Sequence, residues 1–298
     1  MRFSKEINVL ISGGTGFIGK NLIKRLLEEG CNIFTIINES RTHESRIQEI
    51  KYDGSYQSIS KPLEGQKIDF VIHLATKFLS NHKSNQLADL VDSNLKLGTF
   101  LLELTKEKNI SNFINTSTYA QHYLHDGYNP QNLYSATKQA FEDLMKYYEE
   151  TTSTFFLTLE LTDTYGPDDT RSKFINLLLN AIRKNEPFNM SCGEQEICYL
   201  FVDDAIEAYL KAMELILNKN LGPNNKYSVY SNEIFRLIEL VDVVCKDLNS
   251  NIEINKCYYP YREREIMTYK PTYKKLPFWT AKTTLTQGIQ NILNHENK

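Results

Sequence analysis

Tyr134 and Lys138 stand four residues apart in Tyr134-Ser135-Ala136-Thr137-Lys138, a segment that opens a helical stretch. On a helix that spacing puts both side chains on one face, one turn apart. A free tyrosine, with a pKa of about 10, is a poor acid or base near neutrality. A neighbouring ammonium and a positively charged ring stabilise its phenolate, so that the group exchanges protons near pH 7. Upstream, Thr116-Ser117-Thr118 ends an apolar run that begins near Phe113. A hydroxyl there can hydrogen-bond a reacting carbonyl beside Tyr134. Alone, such a pair is an ordinary surface feature of a chain with 18 tyrosines. Its companions decide the matter.

The strongest companion is Gly13-Gly14-Thr15-Gly16-Phe17-Ile18-Gly19, which follows the apolar run Ile7–Ser12 and contains G-x-x-G-x-x-G. Gly13 permits a tight turn, Gly16 lets the backbone approach a diphosphate, and Gly19 lets the next helix pack closely on the sheet. A helix beginning near Phe17 offers free N–H groups and a positive dipole end to phosphates. A strand before the glycines and a helix after them is the context that a dinucleotide-binding turn requires.

The end of the second strand reads Ile36-Ile37-Asn38-Glu39-Ser40-Arg41. An acidic residue at the selecting position accepts from a free ribose 2′-OH and repels a 2′-phosphate. Neutral Asn38 followed by Arg41 suits the 2′-phosphate of NADP(H), which is favoured. Glu39, shifted by one or two positions, would instead serve NAD(H).

These groups need a scaffold that brings several strand ends together. Apolar runs at 7–12, 32–37, 70–74, 112–115 and 154–161 alternate with helical periodicity at 17–29, 87–108 and 133–150. Uniformly apolar strands separated by helices predict a parallel sheet covered on both faces. The expected fold is therefore α/β, a Rossmann-type doubly wound parallel sheet with a smaller, interleaved C-terminal α/β substrate lobe. Residues 1–165 form the dinucleotide-binding part, and 197–218 return to it as a strand and helix. Residues 166–298 are mainly the substrate lobe.

Composition narrows the function. The chain has 298 residues, a formal charge of −3 and 24% charged residues. That balance argues against general affinity for nucleic acid or an anionic membrane. Five cysteines without a CxxC pair argue against a secreted disulfide framework, and the histidines do not join them at zinc-ligand spacing. With neither an apolar leader nor a membrane-length apolar run, the expected location is the cytoplasm, without membrane insertion.

With these residues in view, the sequence resembles the extended short-chain dehydrogenase/reductase family, also known as the NAD-dependent epimerase/dehydratase family. The likeness is carried by GGTGFIG at 13–19, VIHLAT at 71–76, DSNLKLGTFLLE at 92–103, NTST at 115–118, YSATK at 134–138, TYGP at 164–167 and LFVDDAIEAYLKA at 200–212. It implies Thr118 as the catalytic hydroxyl, Tyr134 as acid/base and Lys138 as its partner. It further implies that Thr15, Phe17 and Ile18 join the glycines around the cofactor. Leu74, Ala75 and Thr76 would line it, Asp53 would face the adenine, and Asn94 would order the active-site end.

Within the family, DTYGPDDTRSKFINLL at 163–178, MSCGEQE at 190–196 and YREREIM at 261–267 are similar to the CDP-abequose and CDP-paratose synthase group. That likeness implies NADPH-dependent reduction of a 4-keto group on a CDP-3,6-dideoxy sugar, for surface polysaccharide synthesis. Tyr119-Ala120 follows Thr118 where 4,6-dehydratases have Asp-Glu, and Asp163 stands where many epimerases have Asn. The candidates for holding the substrate are accordingly Asp163, Arg171, Lys173 and Arg262 or Arg264. A C4-epimerase or 4-dehydrogenase that keeps NAD bound is the nearest rival, and a non-catalytic dinucleotide sensor a remote one. The resemblance also implies a homodimer formed through the 87–108 and 133–150 helices.

Overall fold

The computed structural model describes residues 3, 6–38, 46–125, 127–221 and 225–296. At its centre is a parallel sheet of seven strands. Six come from the first half of the chain: β1 (Asn8–Ser12), β2 (Asn32–Ile37), β3 (Ile47–Lys51), β4 (Phe70–His73), β5 (Asn112–Thr118) and β6 (Phe155–Leu161). The seventh, β11 (Lys226–Val229), comes from the second half. Their spatial order is β11-β6-β5-β4-β1-β2-β3. The order in which successive strands are added therefore reverses between β1 and β4, and a ligand crevice opens at such a point, outside the carboxyl ends of the strands.

The central strands are largely buried because both faces are covered. Val9 and Ile11 point into one core with Leu22 and Leu26 of α1 (Phe17–Glu28) and Tyr209 and Met213 of α7 (Val202–Leu217). Leu10, between them in sequence, points into the opposite core with Leu101 of α4 (Leu97–Glu107) and Phe141 and Met145 of α5 (Leu133–Thr151). The period of two along β1 becomes two separate cores. Short α2 (Gln57–Ser60) follows β3.

The long helix expected over 87–108 is interrupted. α3 (Leu87–Val91) passes through a π-helical turn at Asp92–Lys96 before α4 resumes. Such insertions cluster at functional sites, and Asn94 occupies this one.

The second half builds a third core. α6 (Phe174–Lys184), α8 (Leu237–Asp247) and α9 (Leu285–Glu296) bury Leu178, Leu240 and Ile289 against one another. Three small pairings brace it: β7 (Asp163–Tyr165) with β10 (Tyr199–Phe201), β9 (Glu196–Ile197) with β12 (Phe235–Arg236), and β8 (Phe188–Asn189) with β13 (Ile254–Asn255). The segment expected as a further strand at 197–202 thus pairs with β7 and does not enter the large sheet, and α7 packs on α1. β3 and β11 escape sequence reading for opposite reasons. Ile47–Lys51 is a partly exposed edge strand with mixed residues, and Lys226–Val229 lies in a polar, turn-rich stretch.

One disulfide, Cys192–Cys257, joins the β8–β9 connection to the segment after β13. Cysteine number and spacing gave no sign of it. Among the described residues no group of His, Cys, Asp or Glu is arranged to hold a metal, and no helix is long and apolar enough to cross a membrane.

Candidate active site

A cleft of about 1690 Å³ runs across the carboxyl ends of the strands into the second half. It exceeds the roughly 300–1,000 Å³ typical of a single small-ligand site, leaving room for two ligands side by side.

Its floor at one end is the glycine turn. Gly13 has φ +76°, and a Cβ there would lie 2.6 Å from the Ala75 nitrogen. A Cβ on Gly19 would come within 2.1 Å of the Gly13 carbonyl oxygen. The chain is therefore drawn too tightly for any side chain at either position, and the start of α1 is brought against the turn. Thr15, Gly16, Phe17, Ile18, Asn38, Leu74, Ala75 and Thr76 line the same end of the cleft. Such a cradle of backbone N–H groups at a helix start fits a dinucleotide diphosphate.

Asp53 is placed differently from its neighbours. Tyr52 and Gly54 line the cleft, but the Asp53 carboxylate accepts from the Ser55 N–H at 2.9 Å and the Ser55 hydroxyl at 2.6 Å. Those bonds hold its pKa below the usual range. Glu39 and Arg41 lie outside the described residues. Asn94 is buried inside the π turn, where its Oδ1 accepts from the Lys77 N–H at 2.6 Å and the Thr76 hydroxyl at 3.1 Å. Its Nδ2 donates to Thr137 Oγ1 at 2.9 Å. One side chain so joins the loop after β4 to α5, one residue from Lys138.

Tyr134, Lys138 and Thr118 line the middle of the cleft together. α5 starts where it does because Asn132 caps it, its Oδ1 accepting from the Ser135 N–H at 2.9 Å. This fixes Tyr134 in the first turn. Burial pushes the Tyr134 phenol up to about 12, opposed by a hydrogen bond with Thr76; Asp163 raises it further and Arg171 lowers it. Burial brings Lys138 down to about 8, partly countered by Glu142. The Lys138 ammonium donates to the Thr116 carbonyl at 3.0 Å. Thr118 is the last residue of β5, and its Oγ1 accepts weakly from the Ala120 N–H at 3.3 Å.

The far end of the cleft carries residues whose grouping sequence could not supply. The Asp163 carboxylate accepts from the Tyr119 hydroxyl at 3.0 Å and from Lys173 Nζ at 2.8 Å. Burial pushes the Asp163 carboxyl upward, but Lys173 and Tyr119 outweigh it and hold the group below the usual range. Lys173 also sits over the Phe78 ring at 4.0 Å, and Phe78 meets Tyr134 edge-on at 5.0 Å. In the sequence Tyr119 stands out only as a departure from a dehydratase pattern, and Phe78 carries no signal at all.

The arginines divide. Arg171 donates to Asp169 at 2.7 Å and to the Thr164 carbonyl at 2.8 Å while lying over the Phe17 ring at 4.3 Å. Arg264 is turned to the loop before α5, donating to the Pro130 carbonyl at 3.0 Å and to Asn129. Arg262 lines the cleft with an exposed side chain, 4.0 Å from Glu265.

With this geometry in hand, the chain's likeness to known proteins can be stated. A family profile described as the NAD dependent epimerase/dehydratase family matches residues 9–228. The CDP-abequose synthase of Salmonella typhimurium is 27% identical over 98% of this chain and 99% of its own length. That of Yersinia pseudotuberculosis is also 27% identical, over 95% and 98%. Among solved structures, a UDP-glucose 4-epimerase from Thermotoga maritima with UDP-glucose superposes with a TM-score of 0.84 at 18% identity, covering 98% of this chain and 99% of its own. A UDP-glucuronic acid 4-epimerase from Bacillus cereus, in complex with UDP-glucuronic acid and NAD, gives 0.83 at 20% identity over 98% and 99%. The chain belongs to the NAD dependent epimerase/dehydratase family and is an NAD(P)-dependent oxidoreductase.

Proposed function

We propose that this protein reduces the C4 keto group of a nucleotide-activated deoxy sugar, a CDP-4-keto-3,6-dideoxyhexose, with NADPH, and so serves surface polysaccharide synthesis. The observation that carries the reading is the shared cleft: a dinucleotide turn, a neutral buried phenol at Tyr134 and a hydroxyl at Thr118 face one space, with no acid–base pair after Thr118 for dehydration. The likeness to CDP-abequose synthases over nearly the whole chain supports the CDP sugar.

The nicotinamide, when bound, supplies the hydride. Gly13, Gly16 and Gly19 would hold the dinucleotide diphosphate, with Asn38 at the adenosine ribose. Thr118 and Tyr134 would donate hydrogen bonds to the sugar C4 oxygen and stabilise its developing negative charge. Tyr134 would then pass its proton to that oxygen. A phenol held near pKa 12 remains protonated at neutral pH, which is the state a proton donor needs. Lys138 would hold the nicotinamide ribose and stabilise the phenolate as it forms. Asp163 with Lys173 would meet the sugar, and Arg262 the diphosphate, where a planar guanidinium suits paired oxygens.

In this reading residues 1–165, with 197–218, bind the cofactor and residues 166–298 bind mainly the sugar nucleotide. The enzyme acts in the cytoplasm as a homodimer. A C4-epimerase that retains NAD is the rival, favoured by the putative UDP-glucose 4-epimerase of Methanocaldococcus jannaschii, 24% identical over 96% of this chain. The test is a turnover screen of CDP-, dTDP-, GDP- and UDP-4-keto sugars with NADPH and NADH. Stoichiometric NADPH consumption with the CDP sugar is expected. Interconversion of C4 epimers without added cofactor would establish the rival.

A further inference from the structure

One turn beyond Lys138 on the same face of α5 lies a residue that the chemistry above does not use. Glu142 is 4% exposed, its carboxylate enclosed between α5, the end of β5 and β11. An ionised carboxylate is costly to bury unless charges and donors satisfy it, and here they do. Ser117 Oγ donates to it at 2.7 Å and Gln121 Nε2 at 3.1 Å, and Lys226 from β11 forms an ion pair with it. Both hydroxyl-side contacts lead back to the reacting groups. Ser117 precedes Thr118, and the Gln121 Oε1 accepts from the Thr118 N–H at 3.4 Å. Tyr134, Lys138 and Glu142 at successive spacings of four form a single ridge.

We propose that Glu142 is a positioning residue for the reduction proposed above: its carboxylate clamps the strand end bearing Thr118 to the helix bearing Tyr134, and its charge holds Lys138 as an ammonium.

The charges around both groups bear on the second role. Lys138 faces the Thr116 carbonyl, the buried and neutral His73, and Glu142. Glu142 faces Lys226, Ser117, Gln121 and, across β11, Tyr273, which also lies near Glu160. Burial drives Lys138 toward neutrality, and Glu142 is the charge that opposes it. Lys226 is 38% exposed, so water screens part of its field. Its charge is of the opposite sign to the carboxylate's, so removing it should act on Lys138 in the opposite sense, and more weakly because of that screening.

The inference rests on the ketoreductase reading, so the test has an arm that needs no turnover. In protein carrying ¹³Cε-lysine, with the Lys138 signal assigned by its loss in Lys138→Met, the Lys138 titration is followed by NMR. An opposite charge a few ångströms away moves a pKa by about 1–3 units. Glu142→Gln should lower the Lys138 midpoint by at least about one unit. Glu142→Asp should restore most of it, and Lys226→Met should raise it. The second arm is the pH profile of kcat/KM, whose alkaline limb should follow the same three shifts. An unchanged midpoint in Glu142→Gln refutes the electrostatic role. Loss of rate with an unmoved limb, not rescued by Asp, reduces Glu142 to a packing role. Should Glu142→Gln fail to fold, Glu142→Gln combined with Lys226→Met removes both partners of the ion pair together, and an unmoved Lys138 midpoint in that variant overturns the inference. Correct midpoint shifts in a protein that reduces no keto sugar would keep the Lys138 pairing and reject the reaction.

Discussion

Lys138 donates its ammonium to the main-chain carbonyl of Thr116 at 3.0 Å, so the helix that carries Tyr134 is moored to the strand that ends in Thr118. The lysine lies on the same helix face as the phenol, and its hydrogen bond reaches across to the sheet. Asn94 adds a second tie, from the loop after β4 to Thr137 beside it. Two strand-end segments, the π turn and one helix are thus held together by hydrogen bonds internal to the protein. Preorganisation of this kind is what lets donors stabilise charge without rearranging at the moment of reaction.

That arrangement makes Tyr134→Phe an informative replacement. The ring keeps its contact with Phe78, so packing is preserved and only the exchangeable proton is lost. Cofactor affinity should stay within a few-fold, while kcat falls by about 10²–10⁴, the usual worth of a positioned acid. Cofactor titration by fluorescence and turnover on the same preparation check both parts. Reduction at the full rate would remove Tyr134 from the mechanism.

The glycine turn should be intolerant of a single methyl. At Gly19 the added carbon meets the Gly13 carbonyl at 2.1 Å, and at Gly13 the backbone sits at φ +76° against Ala75. Gly19→Ala and Gly13→Ala should each lose cofactor binding and destabilise the fold by about 1–3 kcal/mol, as overpacking does. Thermal melts with and without NADPH read both effects. A variant that kept a full cofactor-induced rise in Tm would place the diphosphate elsewhere.

At the other end of the cleft, Asp163→Asn and Lys173→Met disconnect the pair that flanks Phe78 and Tyr119. Both changes should raise KM for the sugar nucleotide by about tenfold, the loss of one charge-assisted hydrogen bond of about 1.5 kcal/mol. Cofactor affinity should not move, since neither residue belongs to the glycine turn. Initial-rate kinetics with each ligand varied separately distinguish the two halves of the cleft.

Leu87, Val91, Leu144 and Tyr147 are exposed on α3 and α5 at 39–57%. In the proposed homodimer they are covered by the partner copy. Sedimentation at micromolar concentration should give the mass of two chains, and Leu144→Glu with Tyr147→Glu should give one. A monomeric natural protein across that range excludes the dimer.

How much of this was legible beforehand follows the physics of each feature. The glycine turn, Tyr134, Lys138 and the Thr116–Thr118 hydroxyls depend on local spacing, so one reading of the chain finds them, while the choice of Thr118 among the hydroxyls rests on the family resemblance. Alternating apolar strands and helices likewise announce a parallel sheet. Contacts between distant segments leave no such trace: Asp163 meets Tyr119 across 44 positions, and Glu142 meets Lys226 across 84. Cys192 and Cys257 meet only because two connections of the second half converge. Arg171 is a candidate ligand-binding cation by its charge alone, and only the fold shows that it lines the cleft while donating to Asp169 and to the Thr164 carbonyl.

His73 gives the last prediction. It ends β4 fully buried, between Phe113 and Phe141, with Nδ1 2.7 Å from the Ser12 hydroxyl. Burial, with the Lys138 charge adding to it, brings its pKa down to about 3. An unfolded chain takes up this proton near pH 6.5, while the folded protein refuses it until about pH 3. The stability from this residue is therefore complete above pH 6.5 and declines as pH falls toward 3, by about 1.4 kcal/mol per unit and up to about 5 kcal/mol in all. His73→Asn, which cannot titrate, should be less stable at pH 7 through lost packing, yet should have the shallower dependence on pH between 6 and 4. Urea unfolding at half-unit steps measures the two slopes, and parallel slopes would show that His73 is protonated inside the fold.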